Sequence, residues 1–132
     1  VALDRAIATL LNGASISEAV DHSPDRVDHP EVREAIEHAG SASRDQIKSG
    51  GYVLDTLSAA YWSLLQTGSY EVAVVTAVGL GGDTDTTAAV TGALAGAHYG
   101  LDGIPDRWSS QVQYREELSQ LALSLLQLSN KP

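Results

Sequence analysis

Hydrophobic residues recur at helical spacing along almost the whole chain. Near the start, one predicted helix face carries four apolar residues, Leu3, Ile7, Leu10 and Leu11. Ser15 and Glu18 have the spacing of a capping box, which predicts a short second helix. Pro30 occupies a position typical of the first helical residue, and the residues after it predict an amphipathic helix over 31–38 that ends at Gly40.

The second half of the chain is more apolar and predicts four further helices, over residues 52–65, 70–78, 83–99 and 113–128. The valine-rich segment 70–78 also fits a strand, but a single strand would have no partner, so the helix is favoured. The last helix has an apolar stripe of four leucines, Leu118, Leu121, Leu125 and Leu128. These patterns predict an all-α fold.

Composition limits the classes of partner. The 132 residues are 43% hydrophobic, which suits one packed domain or part of a larger one. With 17 acidic against 8 basic residues, the net charge is −9, which argues against nucleic acid and anionic membranes and suits cations. The absence of cysteine excludes disulfides and thiolate metal sites. No membrane-spanning run and no signal-like segment is found, so a cytoplasmic location is predicted.

The segment with the clearest chemistry is the turn and helix start at residues 79–87. Asp83 and Asp85 are two residues apart, so both carboxylates can point into one cavity beyond the helix end, and Thr86 can add a hydroxyl oxygen. Such an all-oxygen cluster is typical of Mg²⁺ or Ca²⁺ sites. Simple helix capping by Asp83 explains one carboxylate equally well, and spacing alone leaves both interpretations open.

A different enzyme class also uses an Asp-x-Asp-x-Thr string. In haloacid-dehalogenase-like phosphatases the first Asp attacks phosphorus from the end of a buried strand, and Asp83 to Thr87 match that string. Here Gly81 and Gly82 directly precede Asp83, and no alternation of strands and helices surrounds it. An Asp-nucleophile phosphatase with Asp83 as the nucleophile is therefore the second candidate.

Three strings together resemble the ADP-ribosylglycohydrolase family. They are LGGDTDTTAA at 80–89, GALAGAHYG at 92–100 and GIPDRW at 103–108, and the upstream segment GGYVLDTLSAA at 50–60 is also similar to the family. The resemblance is strong over residues 49–128 and weak over residues 1–48. It implies an orthogonal, all-α helical bundle of the ADP-ribosylglycohydrolase type, with a binuclear Mg²⁺ centre at the bottom of a cleft and Mn²⁺ as an alternative metal.

The resemblance also implies roles for individual residues. Asp83, Asp85 and Thr86 match the metal ligands of the family's C-terminal motif. The substrate-binding positions of the family match Gly50, Gly51, Tyr52 and Gly82 in this chain. A core position for Tyr52 at its helix start is the alternative. No catalytic acid or base is assigned in this chain.

The implied activity is hydrolysis that frees ADP-ribose from a modified acceptor. The family's other metal-binding motif contains adjacent aspartates, which this sequence lacks, and the sequence starts at Val1 rather than Met. We therefore expect residues 1–132 to be the C-terminal part of one domain, completed by an N-terminal half or a second chain. We expect the chain alone to bind Mg²⁺ weakly, to be catalytically silent and to expose an apolar docking face. A non-catalytic module that binds ADP-ribose or a protein is the third candidate.

Other polar and aromatic residues are predicted to be structural. Asp55 lies among apolar neighbours in a helix, so we expect a hydrogen-bond or charge partner for it. The four histidines are too scattered for a zinc site. Trp62 and Trp108 are predicted to be core anchors, and the glutamates at 31, 34 and 37 to form a solvated face.

Overall fold

The computed structural model describes residues 1–25 and 27–129. In that part of the chain the backbone forms α-helices and short 3₁₀ turns, without a strand, so the all-α prediction is confirmed. The α-helices are α1 (Ala2–Leu11), α2 (Ile16–His22), α3 (Pro30–Ser41), α4 (Val53–Leu65), α5 (Tyr70–Gly79), α6 (Thr84–Tyr99), α7 (Asp106–Ser109) and α8 (Arg115–Ser129). The 3₁₀ turns are Arg44–Gln46 and Leu101–Gly103.

Local capping explains where several helices begin. At α2, the Ser15 hydroxyl accepts a hydrogen bond from the Glu18 N–H, and the Glu18 carboxylate accepts one from the Ser15 N–H, as the capping box predicts. Pro30 is the first residue of α3, but this helix passes through Gly40, so the predicted end at that glycine is wrong. The valine-rich α5 is a helix capped by the Ser69 hydroxyl.

Two helices, α4 and α6, form the centre of the fold. α4 packs against α2, α3, α5 and α6, while α6 packs against α1, α4 and α5. The small residues of α6 permit a close approach by α5, because a Cβ atom at Gly92 would lie 3.2 Å from the Tyr70 hydroxyl oxygen. The Tyr70 ring also faces Gly96. This packing holds the second half of α6 close to the start of α5.

The two tryptophans have different environments. Trp62 is 8% exposed and donates a 2.9 Å hydrogen bond from its indole N–H to the Ala42 carbonyl oxygen, so it is the predicted core anchor. Trp108 is only half-buried and contacts Tyr70 edge to face, with 6.2 Å between ring centroids. The prediction of a core position is therefore wrong for Trp108, which packs against the first residue of α5.

The last helix exposes most of its apolar residues. Leu118, Leu121, Leu125 and Leu128 are each more than half exposed, so the predicted stripe is not covered by the described residues. A small apolar cavity of about 240 Å³ lies beside the first turn of α8, next to Trp108. None of the helices in 1–25 and 27–129 has the length and hydrophobicity needed to cross a membrane.

Candidate functional site

Two consecutive glycines bring a distant loop to the start of α6. Gly81 and Gly82 have φ angles of 82° and 67°, in the left-handed region that favours glycine. A Cβ atom at Gly82 would lie 2.3 Å from the Ser49 carbonyl oxygen, a distance that no side chain tolerates. The loop before α4 therefore approaches the α5–α6 turn closely only because position 82 is glycine.

Ser49 fixes this contact with two hydrogen bonds. Its carbonyl oxygen accepts a 2.8 Å bond from the Asp83 N–H, and its hydroxyl donates a 2.8 Å bond to the Gly81 carbonyl oxygen. Nearby, the Arg44 guanidinium donates a 2.8 Å bond to the Gly79 carbonyl oxygen at the end of α5. Ser49 is not among the predicted site residues, although a serine directly before two glycines is a recognisable turn signal.

The two aspartates of the motif have adjacent carboxyl groups. A hydrogen bond with the Asp83 carboxyl group holds the pKa of Asp85 below its ordinary value, and the backbone N–H groups of Asp85 and Thr86 lower that pKa further. Asp83 is the N-cap residue of α6, but its side chain makes no capping hydrogen bond. Capping by the Asp83 side chain, the simple explanation of this residue, is therefore wrong.

The donor set at this helix start suits a hard cation. Within residues 1–25 and 27–129, no ion pair involves Asp83 or Asp85, and Thr86 is exposed beside them. The buried Thr87 hydroxyl has no hydrogen-bond partner there either. However, the described residues contain no group of three or more acidic or histidine side chains that could hold an ion. Two carboxylates and a hydroxyl fill only part of the six-coordinate shell of Mg²⁺.

The two glycines before α4 lie between two carboxylates. A Cβ atom at Gly51 would lie 3.6 Å from an Asp83 carboxylate oxygen, and one at Gly50 would lie 3.7 Å from an Asp55 carboxylate oxygen. The fold thus gathers Gly50, Gly51 and Asp83, three of the predicted site residues, at one junction.

Tyr52 and Asp55 depart from their structural predictions. Tyr52 is 57% exposed, so a core position for it is wrong. Asp55 is half-buried, and no hydrogen bond or ion pair to the rest of the described chain holds its carboxylate. The expected structural partner of Asp55 is therefore missing. Both side chains line a groove of about 650 Å³ that the acidic face of α3 also lines.

Sequence comparisons identify relatives of the chain. A sequence model of the ADP-ribosylglycohydrolase family matches residues 1–132. An ADP-ribosylarginine hydrolase of Serratia proteamaculans is 40% identical over 123 residues, which are 91% of this chain and 33% of that protein. The protein of the same name in Pseudomonas putida is 43% identical over 83 residues, which are 63% of this chain and 22% of that protein.

A solved structure has the same fold. A chain of an ADP-ribosylglycohydrolase-related protein complex superposes with a TM-score of 0.84 and is 38% identical, covering 97% of this chain and 45% of that chain. This chain therefore spans less than half of the solved relative and between 22% and 33% of the two hydrolases. Because the family model matches from the first residue to the last and the helical fold is shared, the chain belongs to the ADP-ribosylglycohydrolase family.

Proposed function

We propose that this chain contributes the C-terminal half of a binuclear Mg²⁺ site in an enzyme that releases ADP-ribose from an ADP-ribosylated acceptor. The observation that carries the proposal is the adjacency of the Asp83 and Asp85 carboxyl groups at the start of α6, where no cationic side chain of the described residues pairs with them. Family membership supports the reaction class.

The residues at the junction have distinct roles in this proposal. Asp83, Asp85 and Thr86 would hold the ion through oxygen atoms, a ligand set that also suits Mn²⁺. A bound ion would orient the ribose hydroxyls and polarise a water molecule. Gly51 leaves room for the ribose beside Asp83, Gly82 lets the Ser49 loop approach that position, and the exposed Tyr52 ring offers a stacking surface and a hydroxyl.

In the net reaction, the bond between the ribose anomeric carbon and the acceptor atom breaks. The hydroxyl group of a water molecule joins the anomeric carbon, and the remaining proton goes to the acceptor. The transition state of such a reaction is oxocarbenium-like, with positive charge on the ribose. We assign no acid or base to the described residues.

The remaining ligands come, in this proposal, from an N-terminal half of the same enzyme or from a second chain. Three ligands from one helix start leave most of a coordination shell to water. Two ions held close together also repel each other, so a binuclear centre needs more negative charge than Asp83 and Asp85 supply. The exposed leucines of α8 provide an apolar face against which the rest of the enzyme can pack.

The phosphatase interpretation gains no support from the fold. Asp83 follows a two-glycine turn between helices, and residues 1–25 and 27–129 contain no strand that could carry a phosphatase nucleophile. A non-catalytic module remains a distinct alternative to the hydrolase. It predicts binding of ADP-ribose or of a protein without release of product.

Metal titration by calorimetry tests the proposal, first on the chain alone and then on the enzyme reconstituted with its remaining half. We expect weak Mg²⁺ binding and no turnover from the chain alone, and metal-dependent release of ADP-ribose from ADP-ribosylated protein after reconstitution. Asp83→Asn should abolish that release and leave the helical circular dichroism unchanged. Asp102→Asn removes an exposed carboxylate away from the junction and serves as the control.

The outcomes separate the alternatives. Full activity of Asp83→Asn would remove the metal-ligand role. Tight binding of two ions or efficient turnover by the chain alone would refute the shared site. Binding of ADP-ribose without hydrolysis by the reconstituted protein would favour the non-catalytic module.

A further inference from the structure

An acidic groove lies between α3 and α4, next to the candidate metal site. Its volume is about 650 Å³, and its floor includes Asp55 and Ser58, one turn apart on α4. Exposed side chains of α3, Glu34 among them, form the opposite wall, and Tyr52 stands at the end nearest Gly50 and Gly51. These glutamates are exposed, in agreement with the predicted solvated face, and they also line the groove.

Ser58 gives the groove an unsatisfied polar group. This residue is 7% exposed, and its hydroxyl oxygen is buried without a hydrogen-bond partner in the described part of the chain. A serine inside a helix usually donates to the carbonyl four residues earlier, as Ser63 does to Ala59 at 2.8 Å. A buried hydroxyl without a partner is costly, so a ligand that pairs with Ser58 gains that energy on binding.

The charges of the groove favour a positively charged ligand. Four carboxylates line the groove, those of Glu31, Glu34, Glu37 and Asp55, whereas Lys48 is the one lysine or arginine among the lining residues described. No three acidic or histidine side chains of the described chain converge closely enough to hold a metal ion. Because the negative charges are spread along the groove, they suit an extended polypeptide with several positive charges better than a single ion.

Arginine fits these groups better than lysine. A guanidinium group has five N–H donors in a plane, so it can pair with a carboxylate such as Asp55 and donate to the Ser58 hydroxyl at once. The exposed Tyr52 ring at the end of the groove offers a face on which a guanidinium stacks. An ammonium group lacks both the planar fork and the stacking face.

We propose that the groove between α3 and α4 binds an arginine-containing segment of the acceptor polypeptide, beside the residue that carries ADP-ribose. Gly50 and Gly51 connect the groove to the metal site, since their backbone faces Asp55 on one side and Asp83 on the other. An acceptor chain that runs from a ribose at Asp83 along these glycines would reach Asp55. The identity of the ligand as an acceptor segment rests on the proposed function.

Peptide binding tests the groove without requiring catalysis. The protein that carries this chain, in its complete form, is titrated against a fluorescein-labelled, arginine-rich peptide without ADP-ribose, and binding is followed by fluorescence anisotropy. The matched probe carries citrulline, which is neutral, in place of every arginine. We expect the arginine peptide to bind and the citrulline peptide to bind at least about tenfold more weakly, because each charge-assisted hydrogen bond is stronger than a neutral one.

Variants then locate the site. Asp55→Asn and Ser58→Ala should each weaken binding of the arginine peptide, Asp55→Asn by about tenfold. Glu34 is exposed, so Glu34→Gln leaves the core intact. It should also weaken binding of the arginine peptide, and it replaces Ser58→Ala as the test if that variant fails to fold. Glu117→Gln removes the same charge from exposed α8, outside the groove, and should bind like the parent.

Three results would overturn the groove proposal. The first is that the complete protein does not bind the arginine peptide. The second is that the citrulline peptide binds as tightly as the arginine peptide. The third is that Glu117→Gln loses as much peptide affinity as Asp55→Asn. A parallel assay of ADP-ribose release separates this proposal from the proposed function. Hydrolysis with unchanged peptide binding in Asp55→Asn refutes the groove alone, whereas groove-dependent binding without hydrolysis refutes the hydrolase alone.

Discussion

The backbone N–H of Asp83 donates a 2.8 Å hydrogen bond to the carbonyl oxygen of Ser49. This bond joins the first candidate metal ligand to the loop that precedes α4. The same carbonyl oxygen lies where a side chain at Gly82 would begin. The position of the Asp83 carboxylate therefore depends on a glycine next to it and on a loop far away in sequence.

We expect Gly82→Ala to destabilise the protein by about 2 kcal/mol or more, because its φ of 67° is unfavourable for alanine and the new methyl group meets the Ser49 carbonyl. Gly81→Ala is the control, since φ is 82° there but no atom lies within 4 Å of the added Cβ. It should cost only about 1–2 kcal/mol. Urea unfolding measures both, and equal losses would mean that the contact with Ser49 contributes nothing.

Trp62→Phe should lower the free energy of unfolding by about 1–3 kcal/mol. The substitution removes the indole donor and leaves the Ala42 carbonyl oxygen without its 2.9 Å hydrogen bond. Trp108→Phe should have a smaller effect, because Trp108 is half-buried and its indole N–H makes no hydrogen bond within the described chain. Thermal unfolding compares the two variants. A larger loss in Trp108→Phe would contradict the assignment of Trp62 as the anchor.

The capping box of α2 predicts an acid-sensitive contribution to stability. Hydrogen bonds from the Ser15 hydroxyl and the Ser15 N–H hold the pKa of Glu18 below its usual 4.5. Since the pKa is lower in the folded state, the stabilisation is present above the unfolded-state pKa and is lost as the pH falls through the folded-state pKa. The stability difference between parent and Glu18→Gln should therefore shrink on acidification.

Thermal unfolding across the acid range measures this difference. Glu116→Gln, which removes an exposed glutamate from the first turn of α8, is the matched control. A difference between parent and Glu18→Gln that stays constant from neutral to acid pH would show that the capping box does not depend on the charge of Glu18.

The leucine face of α8 predicts self-association of the chain by itself. Leu121 and Leu125 are 55% and 67% exposed, and burying them against another surface gains about 25 cal/mol for each Å² of apolar area removed from water. The double variant Leu121→Lys with Leu125→Lys should shift size-exclusion elution toward the monomer. Gln120→Lys, on the same helix, should leave the elution unchanged. An identical elution of parent and double variant would exclude this face from association.

Local patterns predicted the helices well, because a helix start depends on neighbouring residues. The Ser15 capping box and Pro30 are signals of this kind, and both are confirmed. The predicted motif at Asp83 and Asp85 also depends on near neighbours, and the fold brings the two carboxyl groups together as expected. The metal-binding role of this pair stays a prediction.

Contacts between distant segments could not be predicted in the same way. Nothing near Ser49 in sequence indicates that its hydroxyl reaches Gly81. The exposure of Tyr52 and the missing partner of Asp55 depend on how α3 packs beside α4, a relation that periodicity does not define. Trp108 was placed in the core because large aromatic residues are usually buried, whereas its helix lies at the edge of the fold.

The bond between Ser49 and Gly81 joins residues 32 positions apart, with the whole of α4 and α5 between them. The loop entropy of that interval must be lost before the junction exists, so we expect the junction to form late in folding. A ligand that requires the junction therefore cannot nucleate the fold. Such a ligand should slow unfolding and leave the refolding rate almost unchanged, because it binds only after the chain has folded.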